Sequence, residues 1–357
     1  MKRNAKTGGK HLSKNRHTAE NTGTAKPVRS GEAGKKKRKT KVLVGFIMLL
    51  IIIALIAFLV ADHYLDKINR EKLDDIIGAD DETFDGDGKG GLDPDNVSWG
   101  KIEGLKDRNL VNILLVGQDA RPGQGRQRSD TMIVCSVNTK TKEISLVSFL
   151  RDLYVQLPGD YSDNRLNAPY VFGGFDLLKK TIELNFGIPI DGCFEVNFEG
   201  FADVIDILGG VDIELTAAEA TQVNRFASGY ATAGLNHLTG EQAVSYARCR
   251  KIDSDFGRTE RQRKLLTIVF NDLKGSSLKE INALANKILP LMTTDMSNKQ
   301  IMGLIAKCYG ALDSEMKTYH VPADDAYYGA MIRGMSVLVP DLPLIRQQLE
   351  TYLPLTK

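Results

Sequence analysis

Aspartate residues stand at the ends of two apolar segments of this 357-residue chain. Asp119 follows shortly after the segment NILLV, and Asp130 comes directly before TMIVCSV. If both segments are strands, a turn at each end brings the two carboxylates to one edge of a sheet. Carboxylates hold hard divalent ions such as Mg²⁺, which share their coordination shell with phosphate oxygens. The aspartates are therefore candidates for chemistry on a phosphorylated substrate.

Arginine residues accompany the same segments. Arg121 and Arg128 lie in the loop between the first two segments, and Arg151-Asp152 follows a third, ISLVSFL. Guanidinium groups bind phosphate oxygens in a bidentate manner. Arginines and aspartates that converge at a sheet edge therefore suit a polyphosphate with its metal ion. The alternative is a set of ordinary salt bridges in surface turns.

A further basic cluster has seven Lys or Arg residues within residues 248–264. Arg248 and Arg250 share a face if the chain is extended there. Arg258 stands just ahead of a predicted helix, whose N-terminus itself favours anions. These cations repel one another, which favours an anion bound among them.

Gln262 shares one face of that predicted helix with Arg258 and Arg261, at spacings i, i+3 and i+4. A second interpretation gives these residues structural roles. Gln262 then caps the helix together with Thr259, and Arg261 and Arg263 lie on a solvated helix face.

Short apolar segments separated by turn sequences continue over residues 99–353 and predict a single domain of roughly 250 residues. Strands are predicted at 112–116, 131–137, 143–149, 211–215, 317–321 and 336–339, and helices at 174–185, 198–208, 278–289, 297–311 and 341–352. Capping-box pairs, Thr239 with Gln242 and Thr259 with Gln262, predict two more helix starts. The mixed order predicts the α/β class, as an α-β-α sandwich with a central mixed sheet.

Residues 42–61 form a run of twenty residues without a charge. A helix rises about 1.5 Å per residue, so this run is long enough to cross a hydrocarbon core of about 30 Å. A basic cluster precedes the run, while Asp62 and Asp66 follow it, which predicts a cytoplasmic N-terminus and an extracellular C-terminal part. No signal-peptidase-like site follows, so we expect an uncleaved, single-pass anchor. The alternative is a buried core helix.

Charge divides sharply after residue 41. Residues 1–41 hold fourteen Lys or Arg and two Glu, a net charge of +12, and predict a disordered cytoplasmic tail. The remaining 33 basic and 43 acidic residues give a net charge of −10, which argues against nucleic-acid binding by the folded part. Residues 62–98, acidic and rich in Gly, predict a flexible extracellular linker to a catalytic domain at 99–357.

The four cysteines, Cys135, Cys193, Cys249 and Cys308, include no CxxC pair, which argues against a zinc site. One or two disulfides are compatible with an extracellular domain, and buried free thiols are the alternative. The chain has no GxSxG and no P-loop motif, which argues against a serine hydrolase and a P-loop enzyme.

The ordered blocks GQDAR, RSDTM, SFLRDLYV, GFADVIDILGGVDIEL and LNHLTGEQAVSYARCRKIDSDFGRTERQR resemble the LytR-CpsA-Psr family, from about Val111 to Phe270. The resemblance implies a Mg²⁺-dependent phosphotransferase outside the membrane of Gram-positive bacteria. Such an enzyme moves an anionic glycopolymer, such as wall teichoic acid or capsular polysaccharide, from a polyprenyl-diphosphate carrier to peptidoglycan.

The same resemblance implies roles for individual residues. Asp119 and Asp130 would hold the metal, and Asp152 and Asp255 would orient the arginines. The pyrophosphate would be bound by Arg121, Arg128, Arg151, Arg248, Arg250, Arg258 and Gln262. The expected catalytic set is Arg151, Asp152, Arg248, Arg250, Asp255 and Arg258. Cys249 stands where the family usually has a larger apolar residue, and we expect it to face away from the phosphates.

Two other functions remain open on the sequence. One is a noncatalytic, membrane-tethered regulator that binds polyprenyl phosphates. The other is a pyrophosphatase that acts on the same lipid with water as acceptor. The intact aspartates favour an enzyme over a sensor, because a pure binder does not need a metal to polarise phosphate.

Overall fold

The computed structural model describes residue 48 and residues 50–71, 92–100, 103–118, 126–250 and 252–356. The chain divides into two units, residues 1–58 and residues 59–357. In the first, residues 50–58 are helical, and the second begins with helical residues 59–65. The tail predicted at 1–41 and part of the apolar run at 42–61 lie outside the described residues. Among the helices that are described, none combines the length and apolar character needed for a membrane span.

The second unit is organised around a mixed β-sheet. The strands are β1 (Asn69–Arg70), β2 (Leu110–Gln118), β3 (Ser129–Asn138), β4 (Ile144–Phe149), β5 (Tyr154–Val155), β6 (Asn164–Arg165), β7 (Gly192–Asn197), β8 (Val211–Leu215), β9 (Gly234–Leu238), β10 (Met292–Thr294), β11 (Met316–Val321), β12 (Tyr327–Ile332) and β13 (Met335–Pro340). Seven of them form one sheet in the order β1-β10-β7-β2-β3-β4-β11, and the others pair as β5-β6, β8-β9 and β12-β13.

The pairing directions confirm the predicted mixed sheet. β3 pairs antiparallel with both β2 and β4, so the predicted hairpin of β3 and β4 is present. β7 pairs with β2 in parallel, and β11 pairs with β4 in parallel. Gly117 lies opposite Thr131, but Gln118 lies opposite Ser129, so Asp130 is the extra residue of a β-bulge. A bulge bends its strand and redirects a side chain, and bulges are frequent beside active sites.

Helices cover both faces of the sheet. They are α1 (Ala168–Phe186), α2 (Phe198–Leu208), α3 (Ala217–Phe226), α4 (Gly240–Ala247), α5 (Asp255–Gly275), α6 (Leu278–Ile288), α7 (Asn298–Cys308) and α8 (Leu342–Tyr352). Leu114 and Val134 of the sheet pack with Phe175 of α1 and Ile345 of α8 on one face. On the other face, Val137 and Ile144 pack with Phe270 of α5. The expected α-β-α sandwich is therefore confirmed.

Helix starts follow the local sequence in most cases. Thr239 caps α4 through the predicted capping box with Gln242. The second predicted box is wrong, because α5 begins at Asp255 and Thr259 lies inside it, where its hydroxyl donates to the carbonyl of Phe256 at 2.9 Å. The start predicted at residue 174 coincides with a break inside α1, where Gly174 has φ of 63°.

Both ends of the predicted linker, residues 62–98, pack on the domain, which corrects the expectation of a flexible spacer there. Ile68 is buried, Asn69–Arg70 form the edge strand β1, and the carboxylate of Glu71 accepts from the amide of Phe175 at 3.0 Å. At the other end Val97 is buried. Residues 72–91 lie outside the described residues.

The four cysteines are free thiols. Cys193 and Cys249 are buried, and Cys135 and Cys308 are half-buried. Burial raises the pKa of the Cys135 thiol to about 12. The sequence left disulfides and free thiols as alternatives, and in this structure all four cysteines are free thiols.

Candidate active site

Asp130 is the centre of a group of charged side chains at one edge of the sheet. One carboxylate oxygen, Oδ1, accepts from Nη1 of Arg151 at 2.6 Å, and Oδ2 accepts from Nη2 of Arg250 at 3.0 Å. Its main-chain carbonyl accepts from Nη1 of Arg258 at 2.9 Å. The bulge in β3, the end of β4, the segment after α4 and the helix α5 thus meet at a single residue. The sequence predicted that Asp130 and Arg151 would meet at one edge of the sheet, and the structure places them there.

Arg258 is buried to a degree that is unusual for a charged side chain, since only 1% of it is exposed. Its Nη2 donates to Asp255 Oδ2 at 2.7 Å, and its Nε has no hydrogen-bond partner among the described residues. Asp255 also lies 3.9 Å from Nε of Arg151. The α5 N-terminus therefore holds Arg258 in one orientation, with Asp255 as its carboxylate partner.

Asp152 and an arginine that the sequence interpretation missed extend the group. Asp152 Oδ2 lies 3.6 Å from Nε of Arg151, and its Oδ1 accepts from Nη1 of Arg165 at 3.4 Å. Arg128 lies close enough to Arg165 for the two charges to repel, and burial together with this repulsion lowers the pKa of Arg128. Arg165 belongs to the two-residue strand β6, which pairs with β5. That pairing brings it to the site, and no periodic signal in the sequence marks it.

The site carries an excess of positive charge. Its described arginines are Arg128, Arg151, Arg165, Arg250 and Arg258, and its described carboxylates are Asp130, Asp152 and Asp255.

The pKa shifts at the site follow from this balance. Burial raises the pKa of Asp130, but the hydrogen bond from Arg151 and the charges of Arg250 and Arg258 outweigh it and hold the pKa below its usual range. Burial lowers the pKa of Arg258, and the repulsion of Arg250 and Arg151 adds to this effect. An anion bound among these arginines would relieve the repulsion.

Gln262, Arg261 and Arg263 do not lie on a solvated helix face; all three are buried. Arg261 has a structural partner, because its guanidinium forms two bonds to the Asp253 carboxylate, at 2.7 and 2.8 Å. Gln262 lies one turn after Arg258 on α5, and neither polar atom of its side chain has a hydrogen-bond partner among the described residues. A buried amide without partners is costly, about 1 to 3 kcal/mol, which indicates a role beyond packing.

Arg248 and Arg250 do not share a face of an extended segment. Arg248 follows the last residue of α4 with helical dihedral angles, and its guanidinium lies over the ring of Phe198, 4.7 Å from the centroid. Arg250 contacts Asp130 through its Nη2 at 3.0 Å. Cys249 between them is buried.

Two of the predicted residues, Asp119 and Arg121, lie outside the described residues. Within the part that is described, no group of three or more His, Cys, Asp or Glu side chains could hold a metal ion. Mg²⁺ commonly uses only one or two carboxylates and takes its other ligands from phosphates and water. Asp130, with a lowered pKa and a place among arginines that suit phosphate, fits such a shared site.

An apolar strip on the sheet leads towards Asp130. Ile113 and Leu115 of β2 and Val196 of β7 are half-buried, although both strands have neighbours on each side. They alternate with Leu114 and Val116, which belong to the main core on the opposite face. This face of the sheet is therefore less completely covered at the strip than the opposite face is. The sequence shows only apolar runs here and does not distinguish these residues from the core.

Comparison with known proteins agrees with this geometry. The model of the LytR_cpsA_psr family matches residues 79–352. The chain belongs to the LytR-CpsA-Psr family. The match takes in every strand of the sheet except β1, together with the arginine group around Asp130 and the helices on both faces.

Three relatives of this chain come from Bacillus species. The polyisoprenyl-teichoic acid–peptidoglycan teichoic acid transferase TagU of Bacillus mycoides (strain KBAB4) is 32% identical over 259 residues, which are 69% of this chain and 80% of that protein. TagU of Bacillus anthracis is 38% identical over 173 residues, 48% of this chain and 54% of that protein. The teichoic acid transferase TagV of Bacillus subtilis (strain 168) is 32% identical over 291 residues, 79% of this chain and 72% of that protein.

Solved structures of the same family share the fold. The crystal structure of B. subtilis TagV has a TM-score of 0.53 and 30% identity, and the match covers 71% of this chain and all of that one. TagT bound to LIIa-WTA has a TM-score of 0.56 and 26% identity over 69% of this chain and 91% of that one. Another TagT structure, at 23% identity and a TM-score of 0.53, holds octaprenyl pyrophosphate.

Proposed function

We propose that this protein is a membrane-anchored phosphotransferase that moves an anionic glycopolymer from a polyprenyl-diphosphate carrier to peptidoglycan. The observation that carries the proposal is the group of arginines around Asp130, which has more cations than carboxylates and buries Arg258 almost completely. Such a group is stable when it holds a polyanion, and a pyrophosphate supplies oxygens for several guanidinium groups at once. The names of the TagU and TagV relatives describe this transfer.

The reaction breaks the bond between the sugar phosphate and the lipid phosphate. An acceptor hydroxyl attacks the sugar-linked phosphorus and loses its proton, and the polyprenyl phosphate leaves with the bonding electrons and takes up a proton. Negative charge builds up on the leaving phosphate, so arginines already fixed in place lower the barrier. Arg151, Arg250 and Arg258 are held by Asp130 and Asp255, and we infer that they bind the leaving phosphate and the phosphate under attack.

We further propose that Asp130 holds Mg²⁺ together with Asp119. When bound, the ion would neutralise charge on the phosphate oxygens. The pKa of Asp130 lies below its usual range, so its carboxylate is ionised at neutral pH and can serve as an oxygen ligand. Asp152 would then act only on the arginines, since its contacts are to Arg151 and Arg165.

The lipid needs an apolar path that ends at the phosphates. The half-buried strip of Ile113, Leu115 and Val196 offers such a path, because it lies on central strands that lead to the Asp130 edge of the sheet. We propose that the first isoprene units of the carrier lie along this strip. The uncharged run at residues 42–61, with basic residues before it, supports an anchor with a cytoplasmic N-terminus and an extracellular domain.

A reconstituted assay tests the proposed function. The full chain in lipid vesicles would be given a lipid-linked glycopolymer and peptidoglycan strands, with and without Mg²⁺. Transfer of the polymer to peptidoglycan in the presence of Mg²⁺ is the expected result. Release of free polymer phosphate at the same rate without acceptor would instead indicate a pyrophosphatase. Tight binding of the donor with no turnover would indicate a regulator.

A further inference from the structure

A cleft of about 630 Å³ adjoins the Asp130 site on the side of helices α2, α3 and α4. Residues that line it include Phe198, Glu199, Gln222, Phe226, Glu241 and Arg250. Arg250 also contacts Asp130 at 3.0 Å, so the cleft opens directly onto the phosphate-binding arginines. Its volume is within the range of ordinary ligand sites, about 300 to 1,000 Å³. We refer to it as the side cleft.

Two aromatic rings line the side cleft, and each has an arginine guanidinium near its ring. Phe226, the last residue of α3, is 59% exposed, although a large apolar ring is costly to leave in water. Phe198 at the start of α2 has the guanidinium of Arg248 over one face. Sugar rings present a face of C–H groups that packs on such rings, and their hydroxyl and acetamido groups bond to nearby amides and carboxylates. Gln222, Glu199 and Glu241 provide those polar groups.

Charge distinguishes the side cleft from the arginine group. Two carboxylates, Glu199 and Glu241, line it together with Arg248 and Arg250, so its formal charge is balanced. Glu241 is held by the amide of Ser228, which donates to it at 3.1 Å. Carboxylates repel a glycopolymer that carries a phosphate on each repeat, but they accept hydrogen bonds from the hydroxyls of an uncharged saccharide. The charge therefore favours the acceptor over the anionic donor.

We propose that the side cleft binds the acceptor, a strand of N-acetylated amino sugars, and presents one of its hydroxyls to the phosphate held near Arg250. This inference rests on the proposed transferase function, and it locates the acceptor, the second substrate of that reaction, in the side cleft. Phe226 would stack on a sugar ring, and Gln222 would bond to its acetamido or hydroxyl groups. Glu199 would discourage entry of the anionic polymer.

Direct binding to the full chain in nanodiscs tests the cleft without any donor. The probe is a soluble tetrasaccharide of N-acetylglucosamine, which is uncharged, titrated against wild type, Phe226→Ala and Gln222→Ala. We expect each variant to bind about ten-fold more weakly, because the stacking or the polar contact is lost. Tyr309→Ala is the matched control; Tyr309 is 73% exposed and does not line the cleft, and its replacement should leave binding unchanged.

A transfer assay gives the second measurement. Phe226→Ala should raise the KM for the acceptor about ten-fold and leave the thermal shift caused by polyprenyl diphosphate unchanged. Glu199→Gln should preserve tetrasaccharide binding and increase binding of a soluble glycerol-phosphate oligomer. Because Phe226 and Glu199 are exposed, neither variant should lose its fold, and the Tm of each reports this.

Two results would overturn the assignment. Equal tetrasaccharide affinity in wild type and Phe226→Ala would show that the acceptor does not bind in the cleft. Weaker donor binding in Phe226→Ala, with acceptor binding intact, would show that the cleft binds the donor polymer. Failure of the proposed function itself has a different signature: wild type would show no thermal shift with polyprenyl diphosphate, while the tetrasaccharide titration would still report on the cleft.

Discussion

Arg258 donates from Nη1 to the main-chain carbonyl oxygen of Asp130 at 2.9 Å, which joins residues that are 128 positions apart in the chain. The bond leaves the Asp130 carboxylate to Arg151 and Arg250. It also fixes the plane of the Arg258 guanidinium, whose Nη2 is held by Asp255. One arginine therefore connects the bulge of β3 with the first turn of α5.

Arg258→Lys tests this connection. An ammonium group keeps the charge but has no rigid fork, so it cannot keep both the Asp130 and Asp255 contacts in the same geometry. We expect transfer to fall about ten-fold to a hundred-fold, as for the loss of a charge-assisted contact of about 1.5 to 3 kcal/mol. Steady-state kinetics with lipid-linked donor measures the effect.

A control for Arg258→Lys needs an exposed basic residue on the same helix. The sequence suggests Arg263, but Arg263 is only 5% exposed and is therefore unsuitable. Lys264→Arg is the better control, because Lys264 is exposed on the same helix. Equal losses of transfer activity in Arg258→Lys and Lys264→Arg would show that Arg258 has no specific role in the site.

Asp130→Asn should abolish Mg²⁺-dependent transfer, since the amide is a weaker ligand and carries no charge. The same substitution should also lower the stability of the fold, because the Asp130 side chain is 18% exposed and holds Arg151 and Arg250. Two arginines would lose their partner, and polyprenyl diphosphate should restore part of the lost Tm. Wild-type activity across a Mg²⁺ titration would exclude Asp130 as a ligand.

The ion pairs of Asp130 also predict a pH dependence of stability. Burial raises its pKa, but the bond from Arg151 and the nearby arginine charges lower it further, so the folded-state pKa lies below the unfolded value of about 3.9. The stability from these pairs is therefore fully present above the unfolded pKa and is lost as pH falls through the folded pKa.

We expect the free energy of unfolding to differ between wild type and Asp130→Asn by a constant amount from pH 7 to about pH 5, and the difference to narrow below about pH 4. Denaturant unfolding at several pH values measures it. Asp176→Asn, at an exposed pair with Lys180, is the matched control and should differ little from wild type throughout. A difference that persists unchanged to pH 3 would contradict the assignment to Asp130.

The sheet could be predicted where its strands are continuous apolar runs. β2 and β3 carry Leu114 and Val134 in the apolar runs ILLV and MIVC, and β4 is apolar except for two serines. The hairpin of β3 and β4 follows from a polar turn. The central strand β7 was not predicted, because its Glu195 is buried. Tyr170 Oη donates to this carboxylate at 2.8 Å, and a partner so distant in sequence is invisible to local patterns.

The part of the site that lies at strand ends could also be predicted from the sequence. Asp130, Arg151 and Arg250 converge because strand ends and the segment after a helix meet at a sheet edge. Arg165 could not be predicted, since a two-residue strand brings it to Asp152.

The proposed topology predicts a pattern of proteolysis. A protease added outside intact cells should remove the domain and leave an anchored fragment that contains residues 1–61, because the positive charges before the uncharged run favour a cytoplasmic N-terminus. Antibodies against the tail and against the domain distinguish the fragments. An intact, protected domain in cells with sealed membranes would contradict the topology.

Arg263 offers a test of what α5 contributes to stability and what it contributes to binding. Its Nε and Nη1 have no hydrogen-bond partner among the described residues, and burial lowers its pKa to about 10. A basic group whose pKa is lower in the folded state than in the unfolded state destabilises the folded state. The loss of stability is fully present at every pH below the folded-state pKa, and therefore at neutral pH. Arg263→Met keeps the length of the side chain and removes the buried charge.

We expect this substitution to raise the free energy of unfolding by about 1 to 4 kcal/mol, as replacing poorly compensated buried charges with apolar side chains often does. Transfer should stay within about two-fold of wild type, a change of under about 0.5 kcal/mol in the barrier. Lys264→Met, at the exposed neighbouring position, should change stability little. Denaturant unfolding and transfer kinetics measure the two effects on the same preparations. A lower stability together with a large loss of transfer would instead make Arg263 a member of the phosphate-binding group, since its charge would then be retained for the substrate.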